Sequence, residues 1–248
     1  GFYAALSAAS PWPGAALWRA SDSVNYRAAA TANQAATVGI ATSILATSAP
    51  DYPDNANSVT VQLLRGTLAS HTLDEVLAGA NAVLLGDEII QFQTVTMLGN
   101  GAYQLRNLLR GRRGTEAAVS THALGERFLL LTTETLHFMP LTLGDRGLSQ
   151  SYKAVTVGQN IAEVPARSFT AVLRTLQPWA PAQLQGIRAA GTGSDLMLSW
   201  VRRARRDNGW HDGIDVPLDE SNERYDLEIY DASNNLKRTV SGLTQPTY

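Results

Sequence analysis

The chain has 248 residues, 44% of them hydrophobic and 17% charged, with a formal net charge of −2 and no cysteine. Such a length supports one or two globular domains, and the composition argues against a disordered chain. The acidic balance argues against a protein that coats nucleic acid, and the missing cysteine removes disulfides, zinc ribbons and thiol catalysis.

In chain order, the opening "GFYAALSAASPWPG" lacks a basic start and carries two prolines, so it does not read as a signal peptide. It also lacks an initiator Met, and the expectation is a piece of a longer protein. No apolar run approaches the roughly 18 residues of a membrane span. "WPGAALWRASDSVNY" (12–26) reads as a Pro-Gly turn and a strand. "RAAATANQAATVGIATSILATSAP" (27–50) has Thr, Val and Ile that favour strand and alanines that allow helix; strand is expected. "NSVTVQLL" (57–64) alternates as a half-buried strand does. Thr72 followed by Glu75 is a capping box that opens a short helix, with Leu73, Val76 and Leu77 as its apolar face and Gly79 as its stop. A meander follows. "AVLL" (82–85) and "EIIQFQTVTML" (88–98) are joined at Gly86-Asp87, and "GNG" (99–101) turns the chain into "AYQLRNLL" (102–109). "ERFLLLT" (126–132) and "YKAVTVG" (152–158) are further strands. The fold class is therefore mainly β, with one short helix.

Composition shifts near "LQPWAPAQL" (176–184), where Pro178 and Pro181 mark a break. The expected domains are a β-rich body over 1–175, a linker over 176–182 and a second domain over 183–248. In the second, "DLMLSW" places Leu196, Leu198 and Trp200 on one face, "ERYDLEIYD" alternates Tyr225, Leu227 and Ile229, and "LKRTVSGLTQPTY" supplies Leu243 and Tyr248. This resembles a fibronectin type III module, with Trp on the second strand, Tyr on the third, and a Leu and a Tyr at the corner entering the sixth. Leu198, Trp200, Tyr225, Leu227, Leu243 and Tyr248 form its expected core, and the module is expected to be cut short at Tyr248.

Candidate chemistry is sparse. His71, His122, His137 and His211 show no metal spacing, and no nucleophile elbow or Walker loop occurs. No cofactor or catalytic residue is expected. Asp74-Glu75 and Asp87-Glu88 are assigned local duties at a helix start and a hairpin turn; a glycosidase pair has no sequence signature, and a meander supplies no recognisable cleft. Two arginine-rich stretches stand out. "LRNLLRGRRGTE" (105–116) holds Arg106, Arg110, Arg112 and Arg113, and "WVRRARRDNGW" (200–210) holds Arg202, Arg203, Arg205 and Arg206. Of all the basic residues only Lys153 and Lys237 are lysine, as a GC-rich genome or a surface of planar bidentate contacts would produce. Acids follow the second stretch at once: Asp207, Asp212, Asp215, Asp219, Glu220 and Glu223, with Asp226 and Glu228 beyond. Salt bridging is the expectation there. In the first stretch, guanidinium forks around Gly111 and Gly114 are expected to hold protein carbonyls or carboxylates, within the chain or across a subunit boundary. Arg110, Arg112, Arg113, Glu116 and His122 are the candidate interface residues.

"GANAVLLGDEIIQFQ", "YQLRNLLRGRRGTE", His122 and "GERFLLL" together resemble tail-tip or baseplate hub proteins of long-tailed phages and gene transfer agents. "LSWVRRARRDNGWHDGIDVPLDESNERYDLEIYD" is similar to the fibronectin-like region that follows in that family. The resemblance spans roughly 80–248, is looser at "WPGAALWRASD", and is weak over 27–57. It implies structural work at a virion tail tip, as a homotrimer in contact with other tail-tip, baseplate and distal tail proteins, and no enzymatic activity. No specific nucleic acid is expected as a partner. The alternative is a carbohydrate-binding or adhesin module that contacts a host surface glycan or receptor, which exposed Trp179 and Trp210 would favour.

Overall fold

The computed structural model describes residues 1–188, 195–205 and 216–248. They form two compact units, Gly1–Thr175 and Leu176–Tyr248. Both are mainly β.

The first unit begins with β1 (Phe2–Ala5), β2 (Ala15–Ala20) and β3 (Arg27–Ala32). The chain then leaves to build a separate module: β4 (Val38–Ala41), β5 (Val59–Arg65), α1 (Leu73–Leu77), β6 (Ala82–Leu85), β7 (Glu88–Gly99), β8 (Ala102–Leu109) and β9 (Arg127–Leu130). It returns through β10 (Leu136–Met139), β11 (Ser149–Thr156) and β12 (Arg167–Thr170). The returning strands pair with the departing ones. β10 lies against β1, and β12-β11-β2-β3 is an antiparallel four-stranded sheet. Residues between β3 and β10 are thus an insertion into a body made from the two ends of the unit.

The inserted module is a closed barrel in the order β4-β5-β8-β7-β6-β9. Closure leaves no free sheet edge. Alternation drives it: in β5, Val59, Val61 and Leu63 point inward while Thr60 and Gln62 do not. Phe92, Leu105 and Phe128 fill the interior with them, each fully buried apolar side chain being worth about 1.5–3 kcal/mol. The sheet body has its own core of Leu6, Leu17, Met139 and Tyr152, with Phe2 packed against it. Turn chemistry sets the barrel register. Asn100 and Gly101 both take positive φ, 51° and 76°, as a two-residue hairpin between β7 and β8 needs.

Several expectations are corrected. The stretch 27–50 holds two short strands in different sheets, β3 and β4. The polar pair Asn33-Gln34 bends the chain between them, and the small Ala35 and Ala36 supply no alternating face that would carry one strand through. No strand occurs over 42–57. The Thr72–Glu75 capping box is present, but only Val76 of the helix is buried, while Leu73 and Leu77 stay exposed on a helix too short to present a wide stripe. The meander is not open; β9 joins β4 to β6 and closes it.

The second unit contains β13 (Ala182–Arg188), β14 (Leu196–Val201), β15 (Tyr225–Tyr230) and β16 (Leu236–Leu243). β13 pairs with β14 and β15 with β16, both antiparallel. Trp200 is buried and meets Tyr225 edge to face, with centroids 5.2 Å apart. Leu198, Leu227 and Leu243 are partly buried. Tyr248 differs from its expected core position. Its side chain is exposed, with the Arg238 guanidinium 5.5 Å from its ring centre, and its backbone pairs reciprocally with Leu198. The segment carrying Tyr248 follows β16 and pairs with β14.

Candidate functional site

Among the described residues, the most densely bonded buried polar group lies at one end of the barrel. Arg110 follows the last residue of β8 and is 1% exposed; Glu88 opens β7 and is fully buried. Arg110 Nε donates to both Glu88 oxygens at 3.1 and 3.2 Å, and Nη2 donates to Glu88 Oε2 at 2.9 Å. Its Nη1 donates to Asp54 Oδ2 at 3.0 Å and to the Ala46 carbonyl at 2.9 Å, and Nη2 also reaches the Val119 carbonyl at 3.2 Å. This is the full fork of an arginine spent inside the protein. It ties the 46–54 loop and the 111–126 segment to the barrel end.

Glu88 has further donors. The Gly111 N–H reaches Oε1 at 2.5 Å, and His122 Nε2 stands 2.6 Å from Oε2. His122 Nδ1 stands 2.7 Å from Glu126 Oε1. Burial pushes the Glu88 pKa up, but hydrogen bonds from His122, Arg110 and Gly111 outweigh it and hold the carboxyl below its usual value. Burial would push His122 down; hydrogen bonds to Glu88 and Glu126 outweigh that and raise it. For Asp54, burial again opposes ionisation, and the bonds from Asn57 and then Arg110 overcome it and lower the pKa. Gly111 is fixed by geometry. Its φ is +58°, and a Cβ there would press on Pro50 and Glu116 at 3.0–3.1 Å.

The candidate interface residues thus divide. Arg110 and His122 point inward and bond within the chain, Arg110 to carboxylates and carbonyls of the kind expected for it. The side-chain carboxylates around them satisfy both, and the His122 side chain is 1% exposed. Arg112 and Arg113 are exposed, and Glu116 is partly buried at the start of a 3-10 turn, Glu116–Ala118. Arg112 Nε donates to Gln91 Oε1 at 3.0 Å, and Gln91 in turn donates to the Val76 and Ala80 carbonyls at and beyond α1. Arg113 holds a left-handed backbone, φ 57°.

The sequence neighbourhood of Glu88 suggests only a turn duty, Glu126 stands with Glu116 as an acid nearest to the arginines, and Asp54 carries no sign of belonging to a cluster. A signal for Glu88 exists: it shares strand parity with Ile90 and Phe92, both buried, which places a charge on the core face. Asp54 arrives from a distant loop and carries no such mark. Among the described residues no group of three or more His, Asp or Glu is arranged to hold a metal.

The second arginine stretch is built differently. Arg202 pairs with Glu223 at 3.1 Å and donates to the Val216 carbonyl; Arg205 pairs with Glu220; Arg203 lies 4.8 Å from the Trp179 ring centre. Each of the two ion pairs is partly open to solvent. Arg206, Asp207, Trp210, His211, Asp212 and Asp215 lie outside the described residues. Beside this stretch is a cavity of about 650 Å³ lined by Trp179, Trp200, Tyr225, Arg203, Glu223 and others of the same unit.

A closed barrel braced by a buried ionic clasp and inserted into a β-sheet body is the class of protein these features define. Residues 36–129 match the family described as Rcc01698-like, C-terminal. The match begins just before β4 and ends inside β9, so its limits are close to those of the barrel. It agrees loosely with the resemblance to gene transfer agent and phage tail proteins, overlaps it from residue 80, and extends into the 36–57 stretch where that resemblance is weak. No curated protein matches the chain.

Proposed function

We propose that this chain is a structural component of the tail tip or baseplate hub of a phage or phage-like particle, without catalytic activity. It works there as a homotrimer among other tail-tip, baseplate and distal tail proteins, and presents its second, fibronectin-like unit toward the host. The observation that carries this reading is the coincidence of the family match with the closed barrel. Two features support it. The barrel has a filled interior and a self-contained ionic clasp, which suits a rigid part of an assembly. The arginines that most resemble a phosphate-binding cluster are partly spent on internal carboxylates and carbonyls. Electron microscopy of particles carrying an epitope-tagged copy tests the proposal. Label at the distal tail end, at three copies per particle, is expected. Label on the capsid, or none on any particle, would sink it.

A second reading rests on the cavity of the second unit, where the half-buried Trp179 and carboxylates such as Glu223 offer the apolar face and hydrogen-bonding groups that a sugar uses. It makes this unit a glycan-contacting module. An array of bacterial surface glycans probed with the full chain and with Trp179→Ala separates the two readings: retention lost in the variant favours the glycan module, and no retention removes it.

A further inference from the structure

Glu88 is held by two cations of different kinds. An arginine guanidinium keeps its charge at any pH a folded protein meets, whereas an imidazole can lose its proton in the accessible range. Both reach the segment after β8, at different points, and only Arg110 reaches the 46–54 loop. Arg110 reaches Ala46 and Asp54 in one loop and Val119 in another. His122 belongs to the turn between Val119 and β9, and its ring tethers that turn through Glu88 at 2.6 Å and Glu126 at 2.7 Å.

Ionised carboxylates only accept hydrogen bonds. With one carboxylate on each ring nitrogen, both nitrogens must donate, so the ring is an imidazolium. Removing one proton would leave a lone pair facing a carboxylate oxygen at hydrogen-bond distance, in a site where the ring is 1% exposed and water cannot easily repair the loss. The groups around the ring make the sign clear. Glu88 from β7 and Glu126 ahead of β9 face it directly. Arg110 lies beyond Glu88, Asp54 lies beyond Arg110, and Asp87 and Arg127 pair with each other at the surface, 3.0 Å apart. The nearest charges are the two carboxylates, which favour the protonated ring.

We propose that Glu88, His122 and Glu126 form a proton-held latch: one proton on His122 fastens residues 120–125 over the barrel end, and its loss frees them while the Arg110 clasp stays shut. The latch is independent of where a particle places this chain. It is closed in neutral solution and opens on the alkaline side.

The test uses the full chain. Ring ¹⁵N spectra of His122 are followed through the neutral and alkaline range, beside deuterium exchange of residues 120–125 and 46–54 corrected for intrinsic base catalysis. A doubly protonated ring at neutral pH is expected. Exchange over 120–125 should rise about tenfold or more through the ring's midpoint, with 46–54 unchanged. Glu126→Gln, which keeps the clasp, should lower the midpoint by about one pH unit, a tenfold weaker hold on the proton. His122→Gln should abolish the pH dependence. A neutral ring at neutral pH, loosening that persists in His122→Gln, or joint opening of 46–54 would overturn the latch. If His122→Gln does not fold, an unchanged midpoint in Glu126→Gln overturns it on its own.

Discussion

The two arginine-rich stretches look alike as text and differ as structures. In the first, one arginine at the end of a barrel strand is sealed from water and spends its donors on Glu88, Asp54 and two carbonyls. In the second, Arg202 and Arg205 pair with Glu223 and Glu220, with both pairs partly wet, and Arg203 rests on Trp179. Burial makes the difference. Solvent screens the second set, so each pair contributes little. The first set has replaced its hydration with protein groups, so losing one member strands the others. Arginine density does not indicate function; the depth at which each guanidinium ends does.

The largest expected effect breaks this comparison directly. Arg110→Ala should destabilise the barrel by about 3–5 kcal/mol, because Glu88 and Asp54 would keep their charges in a dry site with one strong donor removed. Arg205→Ala should cost below about 1 kcal/mol. Amide exchange of the barrel strands and of the second unit, under increasing denaturant, reads the two separately. Equal losses in the two variants would show that burial is not what distinguishes them.

Next in size is the core of the second unit. Trp200→Ala should cost about 3–5 kcal/mol, the usual range for a buried Trp, and should melt β14 and β15 while the barrel is unaffected. Loss of protection across both units would show that they unfold together, and an unchanged melting profile would remove Trp200 from the core.

Much of this is legible in the sequence where short-range rules decide. The Thr72–Glu75 capping box, the Gly86-Asp87 hairpin and the alternating strand of Val59, Val61 and Leu63 all depend on residues within one turn or one strand. Barrel closure is not legible, because β9 meets β4 across some ninety residues of chain and nothing local marks that pairing. For the same reason Asp54 escapes notice: it reaches the cluster from a loop, and a loop carboxylate has no periodicity to betray an inward direction. β1, β10 and β12 are four-residue strands, too short for alternation to separate from chance. Arg110 stands out in the sequence, and a carboxylate or carbonyl partner is expected for it, but its depth is not. A charged residue adjoining a strand that carries Leu105 and Leu108 inward is the available hint.

The pH response sharpens the contrast. Glu88 is held below its usual pKa, so its stabilising effect is present above the unfolded value and is lost as pH falls through the lower, folded value. His122 is raised, so its contribution is complete below its unfolded pKa and is lost as pH rises through the folded one. The barrel should therefore weaken at both ends of the scale. Each limb changes one partner and leaves the Arg110 donors in place, so both should be smaller than the Arg110→Ala loss. Glu88→Gln should flatten the acid limb of barrel unfolding. An acid limb unchanged in that variant would assign it to other carboxylates.

Gly111→Ala comes below that, at about 1–3 kcal/mol, since the left-handed backbone alone penalises a side chain and the added Cβ would press on Glu116 and Pro50. A neutral effect would mean that the turn relaxes without disturbing the Gly111 N–H bond to Glu88.

The smallest effect is expected where the first stretch looks most like a phosphate grip. Arg112 and Arg113 are its exposed members. Arg112 donates to Gln91, a neutral partner at a partly open site, and its removal should cost about 0.5–1.5 kcal/mol. Arg113 sits at positive φ, where alanine is no better accommodated than arginine, so no backbone gain offsets that loss. Neither change reaches the clasp, because those bonds belong to Arg110. For nucleic acid the electrostatic case is equally plain. Affinity grows with the number of phosphates neutralised, the chain as a whole is acidic, and Arg110 is unavailable. Titration of the full chain with duplex and single-stranded DNA at physiological salt should show no binding below about a micromolar Kd, the range non-specific binders leave behind. The Arg112→Ala, Arg113→Ala double variant should behave as the parent does. Tight binding in the parent that disappears in the double variant, with barrel stability intact, would turn the exposed pair into a nucleic-acid contact after all. A large stability loss in the double variant would instead extend the clasp outward to Arg112.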